Sequence, residues 1–368
     1  MFKMEIHSAI ASLQGYIEGC IQQPSMQHQH LSGAGATYFL EEKLKAYYNK
    51  KYAVTFSNAT TALQTLCIAM DLNNTEILTS PINWGGSISP FLLHRNKLRF
   101  TSFDPVSLNI SLRDLPSAIT QKTKAVLSVD FNGTPVNSEA IKTFCSQNNL
   151  IYISDSAQSL GSSLNNKPAG YFADAIVLSF SPGKSFFTGE GGAVITNDGT
   201  IYEKLLWYSQ HPSRQKTVFG LSNFNGYAPI NGRMNPLSAI LLNETFEDTY
   251  NALKEYQIEC FRLIKQLQSN NLIEETPHIP APSSSTFFGL TLKLKESSSI
   301  KHVNEFLKFQ NQSFFADEYF PILIPFEASF RKQFKRMFSC SNALIEQHKT
   351  LQQNHWLKLT YSPSIATV

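Results

Sequence analysis

Leu178-Ser-Phe-Ser-Pro-Gly-Lys184-Ser-Phe-Phe-Thr-Gly-Glu-Gly-Gly192 is the stretch whose reading decides the fold. The apolar run Ala175 to Phe180 leads into it and a second, Ala193 to Thr196, leaves it. A glycine-rich loop therefore holds one lysine between two segments with the length of buried strands. Taken alone, such a lysine is ordinarily a solvated side chain. Upstream, the run Leu150-Ile-Tyr-Ile-Ser-Asp155 ends in an aspartate, followed by Ser156-Ala157-Gln158.

Working outward, Tyr52–Phe56, Glu76–Thr79, Leu98–Thr101, Lys124–Val129, Leu150–Ile153, Ala175–Leu178 and Ala193–Ile195 all read as buried strands. Amphipathic stretches lie between several of them. In Ser138-Glu-Ala-Ile-Lys-Thr-Phe-Cys-Ser, the residues Ile141, Phe144 and Cys145 follow helical spacing, and Ser138 is the expected N-cap. This alternation predicts an α/β fold with a mainly parallel sheet wrapped by helices. Ligands of such sheets gather at the carboxyl ends of the strands, where Asp155 and Ser179 fall. A long helix is expected from Pro236 to Gln268, then a Pro-rich break from Pro277 to Pro282. A strand from Thr286 to Leu294 and a helix from His302 to Phe309 follow.

The chain has 368 residues, beyond the length at which single cores stop growing, so two domains sharing a cleft are expected. Thirty-one basic against 28 acidic residues leave a net charge of +3, with no basic stripe for nucleic acid or a membrane surface. The N-terminal Met1-Phe-Lys-Met-Glu-Ile-His lacks the apolar region of a signal peptide, and no stretch has the length of a membrane helix. Cys20, Cys67, Cys145, Cys260 and Cys340 are scattered, which points to reduced thiols, a cytoplasmic location and no metal site.

A carboxylate and a lysine at the ends of two buried strands are what a pyridoxal phosphate enzyme needs. The amine of Lys184 would form a Schiff base with the cofactor aldehyde, and Asp155 would keep the pyridine nitrogen protonated. The turn Asn58-Ala59-Thr60-Thr61, between a strand and a helix through Leu63, Leu66 and Cys67, reads either as an ordinary N-cap or as a phosphate site.

Six blocks in register carry a family resemblance, from about Ser32 to Ala239. They are Ser57-Asn-Ala-Thr60-Thr-Ala-Leu63, Phe103-Asp-Pro-Val-Ser-Leu-Asn109-Ile, Asp155-Ser-Ala-Gln158, Ser179-Phe-Ser-Pro-Gly-Lys184, Thr188-Gly-Glu-Gly-Gly192 and Asn231-Gly-Arg233-Met234-Asn-Pro-Leu-Ser-Ala239. The sequence resembles the DegT/DnrJ/EryC1/StrS family of sugar aminotransferases. The resemblance implies an aspartate-aminotransferase-like fold of type I, with a mainly parallel seven-stranded sheet in a large domain (1–245) and a small α+β C-terminal domain (246–368).

It also implies pyridoxal 5'-phosphate as cofactor, and an amino group moved from glutamate or glutamine to a keto sugar, nucleotide-linked, or a similar polyhydroxy ketone. Ala59, Thr60 and Ser179 would hold the phosphate, and Trp84 would stack on the ring beside Gly85 and Gly86. Gln158 would contact the ring's phenolic oxygen or its face. Asn231 and Arg233 would reach the phosphate and substrate region of a neighbouring subunit, which implies a homodimer with shared sites.

The chain departs from the family pattern at three places. Ala59 replaces a glycine, which predicts a slightly altered turn, since alanine tolerates φ > 0 less well. Gly232 replaces a bulky aromatic. Tyr319-Phe-Pro-Ile-Leu-Ile-Pro-Phe326 lacks the histidine that members carry near the substrate loop. His28, His30 and His211 read as loop histidines, with His211 near the substrate opening. The alternatives are a sugar dehydratase or other non-transaminating enzyme on the same cofactor, and a non-catalytic cofactor-binding protein. Dehydrating relatives carry a histidine where this chain has Lys184. A dinucleotide-binding protein would want a Gly-rich fingerprint after the first strand, which Ser57-Asn-Ala-Thr60 lacks.

Overall fold

All seven expected apolar runs form strands of one sheet in the computed structural model, which describes residues 6–221, 230–274, 283–310, 312–351 and 355–361. They are β1 (Tyr52–Phe56), β2 (Glu76–Thr79), β3 (Lys97–Phe100), β4 (Thr123–Val129), β5 (Ile151–Asp155), β6 (Ala175–Ser179) and β7 (Gly192–Thr196). The order is β1-β7-β6-β5-β4-β2-β3, and an eighth strand, Phe338–Cys340, extends the edge beside β3. β7 runs antiparallel to both of its neighbours, and the other pairings are parallel.

The strands read as continuous apolar runs because both faces are covered. On one face Phe56, Ile77, Leu127, Ile153, Val177 and Val194 meet helices Ala59–Ala69, Gly85–Leu93 and Gly199–Ser209. On the other, Ala53, Leu78, Val126, Tyr152, Ile176 and Ile195 meet helices Ala36–Tyr48, Ser138–Gln147 and Pro236–Ser269. The edge strand β1 is covered by polar groups: the Thr55 N–H and hydroxyl donate to buried Glu41, which also pairs with buried Arg214 at 2.6 Å.

The 34-residue helix Pro236–Ser269 joins the two cores. Its Leu242, Phe246 and Leu253 pack on the large sheet, whereas Cys260, Leu263 and Leu267 pack in the smaller core. That smaller core lies on a three-stranded antiparallel sheet in which Trp356–Tyr361 sits between Leu290–Lys293 and Phe314–Tyr319. Between Phe314–Tyr319 and Trp356–Tyr361 the chain returns to the large sheet. Phe330 and Phe338 stack edge-on around Phe100, and Leu323 and Leu344 are buried in the large core.

Three local expectations need correction or a limit. The N-cap of helix Ser138–Gln147 is Asn137, whose side chain accepts from the Ala140 N–H, not Ser138. The strand expected over Thr286–Leu294 is confined to Leu290–Lys293, because Phe287 takes φ 48° and the chain ahead of it bends onto the large domain. The Pro-rich break at 277–282 lies outside the described residues.

Candidate active site

At the carboxyl ends of β5 and β6 a cavity of about 630 Å³ opens. Its lining includes Ala59, Thr60, Trp84, Asp155, Gln158, Ser179 and Lys184, which the sequence had singled out from distant segments.

One wall is the N-terminus of helix Ala59–Ala69. Asn58 caps it, its side chain accepting from the Thr61 N–H at 2.8 Å. The first-turn amides of Ala59 and Thr60 have no partner within the helix and suit an anion. Ala59 is not among the left-handed residues, so its Cβ carries no positive-φ cost in this turn. Two glycines shape this wall instead. A Cβ on Gly192 would stand 2.6 Å from the Ala59 nitrogen, and one on Gly86 would stand 2.7 Å from Thr60 Oγ1. Ser179, nearly buried at the end of β6, shares a 2.8 Å hydrogen bond with the Ser181 hydroxyl, which also lines the cavity. Trp84, 74% exposed, stands at the rim just before helix Gly85–Leu93.

Asp155 lies 2% exposed at the end of β5. Burial pushes its carboxyl above the usual carboxylate range, opposed by the Ser87 hydroxyl, the Ala157 N–H at 3.0 Å and the charge of Lys184. Burial likewise pushes the Lys184 amine below the usual lysine range, and Asp155 pulls it back. The two groups therefore each favour the other's charged form across the cavity.

Behind Asp155 stands a second carboxylate, Asp130, fully buried. It accepts from the hydroxyls of Ser156 and Ser159 and from the Val136 N–H, each at 2.8 Å. Those bonds fix the turn that carries Gln158. The Gln158 carbonyl Oε1 accepts from the Asn132 N–H at 2.7 Å, which leaves its amide N–H groups for a ligand.

Asn231 is exposed, Arg233 is half-buried, and neither lines the cavity of its own chain. Gly232 between them is buried, and its carbonyl accepts from the Ser57 N–H at 2.7 Å. A Cβ there would stand 3.1–3.2 Å from Thr61, Phe56 and Ser209, so a side chain at that place would crowd these neighbours. His211 caps helix Pro212–Phe219, its Nδ1 accepting from the Ser213 N–H, so it serves the fold. His28 and His30 fall in the 3₁₀ segment Pro24–Ser32.

Sequence reasoning missed Ser87, Ser181, Asp130 and Phe288. The first two had a local signal, since Ser181 follows Ser179 by two residues and Ser87 directly follows Gly85-Gly86. Phe288 had none, because it is remote in sequence and reaches the cavity only through the docking of the smaller domain.

The chain matches the DegT/DnrJ/EryC1/StrS aminotransferase family over residues 22–362. It belongs to that family. It is 32% identical over 220 residues to the Helicobacter pylori UDP-4-amino-4,6-dideoxy-N-acetyl-beta-L-altrosamine transaminase, covering 55% of this chain and 57% of that protein. It is also 32% identical over 183 residues to a Yersinia pseudotuberculosis GDP-4-keto-6-deoxy-D-mannose 3-dehydratase, covering 46% and 45%. These alignments span about half the length of the curated relatives. Among solved structures, a DegT DnrJ EryC1 StrS aminotransferase from Brucella abortus superposes with a TM-score of 0.77 at 19% identity, over 98% of this chain and 92% of that one. That likeness establishes the shared fold.

Among the described residues no helix is long and apolar enough to cross a membrane, and no cluster of metal-ligating side chains occurs.

Proposed function

We propose that this protein is a pyridoxal-phosphate-dependent aminotransferase that moves an amino group from glutamate or glutamine to a keto sugar, nucleotide-linked, or a similar polyhydroxy ketone. The observation that carries the reading is the meeting of Lys184, Asp155 and a capped helix N-terminus in one cavity. The donor set fits the cofactor: unpaired first-turn amides and the Ser179 and Ser181 hydroxyls suit a phosphate, and Gly192 and Gly86 let their backbones pack against this helix N-terminus more closely than any Cβ would allow.

Pyridoxal phosphate, when bound, supplies an aldehyde for an amine and a ring that accepts electrons. Lys184 would be the residue that holds that aldehyde. Once free, its amine would be the base that takes and returns the proton of the donor's α-carbon. Asp155 would be the carboxylate that stays ionised beside the ring nitrogen and keeps it protonated. Trp84, at the rim, would be the residue to stack on the ring, and Gln158 would have its amide N–H groups to offer to the phenolic oxygen.

A homodimer with shared sites is part of the proposal. Among the described residues lining the cavity, Lys184 is the single cation, although phosphate and donor carboxylate both carry negative charge. Asn231 and Arg233 of a second copy would supply the missing partners. Ile10, Ile17 and Ile21 on the N-terminal helix, with Tyr38, Phe39 and Leu237 nearby in the fold, expose apolar surface that suits such an interface.

Borohydride reduction of the loaded protein followed by peptide mapping tests the assignment, with the label expected on Lys184. A screen of keto sugars with glutamate or glutamine, following the keto acid released, tests the reaction. A label on another lysine would overturn the site. Dehydrated sugar with no keto acid formed would favour the dehydratase reading that the Yersinia relative represents.

A further inference from the structure

Phe288 has no part in the chemistry described so far, yet the Lys184 Nζ lies 4.3 Å from the centroid of its ring. The contact is fixed from both sides. Phe287, 6% exposed and edge-on to Phe261 at 5.0 Å, anchors the loop in the smaller core. From the large domain, the Thr286 hydroxyl donates to the Gln158 carbonyl at 2.6 Å and the Ser162 hydroxyl accepts from the Thr286 N–H at 2.8 Å. The Asn132 side-chain amide donates to Thr291 Oγ1 at 2.7 Å. The surfaces meet so closely that a Cβ on Gly289 would stand 2.4 Å from Asn132 Oδ1. Phe288, between these anchors, is left to face the cavity.

We propose that Phe288 is a positioning residue whose ring face seats the Lys184 ammonium whenever that amine is not covalently engaged. The proposal rests on the reading of Lys184 as the lysine that carries the cofactor. A ring face attracts a cation through its quadrupole, most strongly where water is thinned. Two carboxylates line the same cavity, Asp155 from the end of β5 and Glu190 from the glycine-rich loop. Asp155 draws the ammonium without an ion-pair contact, whereas the ring of Phe288 lies against it. A neutral amine loses the electrostatic part of this attraction. Protonation therefore holds Lys184 at the wall, and loss of the proton frees it to swing back to the cofactor. Position and proton state become coupled, which is what a lysine that alternately bonds and shuttles protons requires.

The test uses the cofactor-free protein. Lys184 is acylated with a small amine reagent across a pH series, and its modification is quantified by mass spectrometry against exposed lysines in the same sample. In Phe288→Leu the midpoint of the Lys184 profile is expected to fall by about half a unit to one and a half units. Phe288→Tyr should restore it nearly to the native value. An unchanged midpoint in Phe288→Leu overturns the proposal, as does an equal fall in Phe288→Tyr, since a purely steric change would not separate the two. Phe288 is 37% exposed, so its replacement leaves the core intact. Borohydride mapping on the loaded variants keeps the two readings apart. A label on Lys184 with an unchanged midpoint sinks only the role of Phe288, and a label elsewhere sinks the assignment of Lys184 itself.

Discussion

Gly192 and Ala59 lie so close that the first residue of β7 and the first residue of the phosphate-side helix could not coexist if the former had a side chain. The clash would be with backbone, at 2.6 Å from the Ala59 nitrogen and from the Asn58 carbonyl carbon, so no rotamer change relieves it.

Gly192→Ala is therefore expected to push the helix N-terminus out of place. Overpacking of this kind costs about 1–3 kcal/mol, and here the displaced amides are those that would hold the phosphate. Titration with pyridoxal phosphate should show affinity weakened roughly tenfold or more. Native affinity would mean that the phosphate is held elsewhere.

Asp155→Asn keeps the shape of the side chain and removes its charge. The protein should still bind cofactor, and proton transfer in single-turnover reaction with the amino donor should slow on the order of a hundredfold, as for loss of a charged partner in a buried pair. Near-native half-reaction rates would reduce Asp155 to a strand-end carboxylate.

Asp130 makes a prediction about stability. Burial raises its carboxyl from the ordinary 3.8 to about 6, against the pull of Val136, Ser156 and Ser159, with Asp155 adding to the rise. An acid whose folded value is raised binds its proton more tightly in the native state. Its contribution is thus fully present below about pH 4 and is lost as pH rises through about 6, on the order of 3 kcal/mol. Asn cannot titrate, so the stability of Asp130→Asn relative to the native protein should improve between pH 4 and pH 7. Denaturant unfolding at the two pH values measures this, and a constant difference would contradict it.

Mixed dimers test the shared site. Lys184→Ala and Asn231→Ala proteins should each be inactive, and after subunit exchange one class of site regains both native residues. Activity should then reappear. A monomer by light scattering, or proven exchange without recovery, would leave Asn231 a turn residue.

The large sheet was legible because strands buried on both faces write themselves as unbroken apolar runs, and all seven lie within a residue or two of their expected bounds. The motif residues Asp155, Ser179 and Lys184 were legible because strand ends in such sheets converge. The rest depended on contacts between distant segments. Phe338–Cys340 is too short to announce itself as a strand, and it pairs with β3 beside a distant aromatic contact, Phe338 edge-on to Phe100. Thr286-Phe-Phe-Gly-Leu looks β-prone and so places Phe288 within a strand, while Asn132 and Gln158, which bond to Thr291 and Thr286, lie far upstream. Ser138 was mistaken for a cap because either of two adjacent polar residues could serve, and only the Asn137 side chain reaches the Ala140 N–H.

The antiparallel placement of β7 also governs the order in which the chain can assemble. Among the described residues β1 has β7 as its only neighbour in the sheet, so Tyr52–Phe56 lacks that partner until Gly192–Thr196 has left the ribosome. Contacts of such sequence separation form late and slowly. During synthesis the turn at Asn58 and the helix after it are thus tethered to an unpaired strand. Fragments ending before Gly192 should expose that strand as a sticky edge and aggregate, whereas chains extending past Thr196 can bury it.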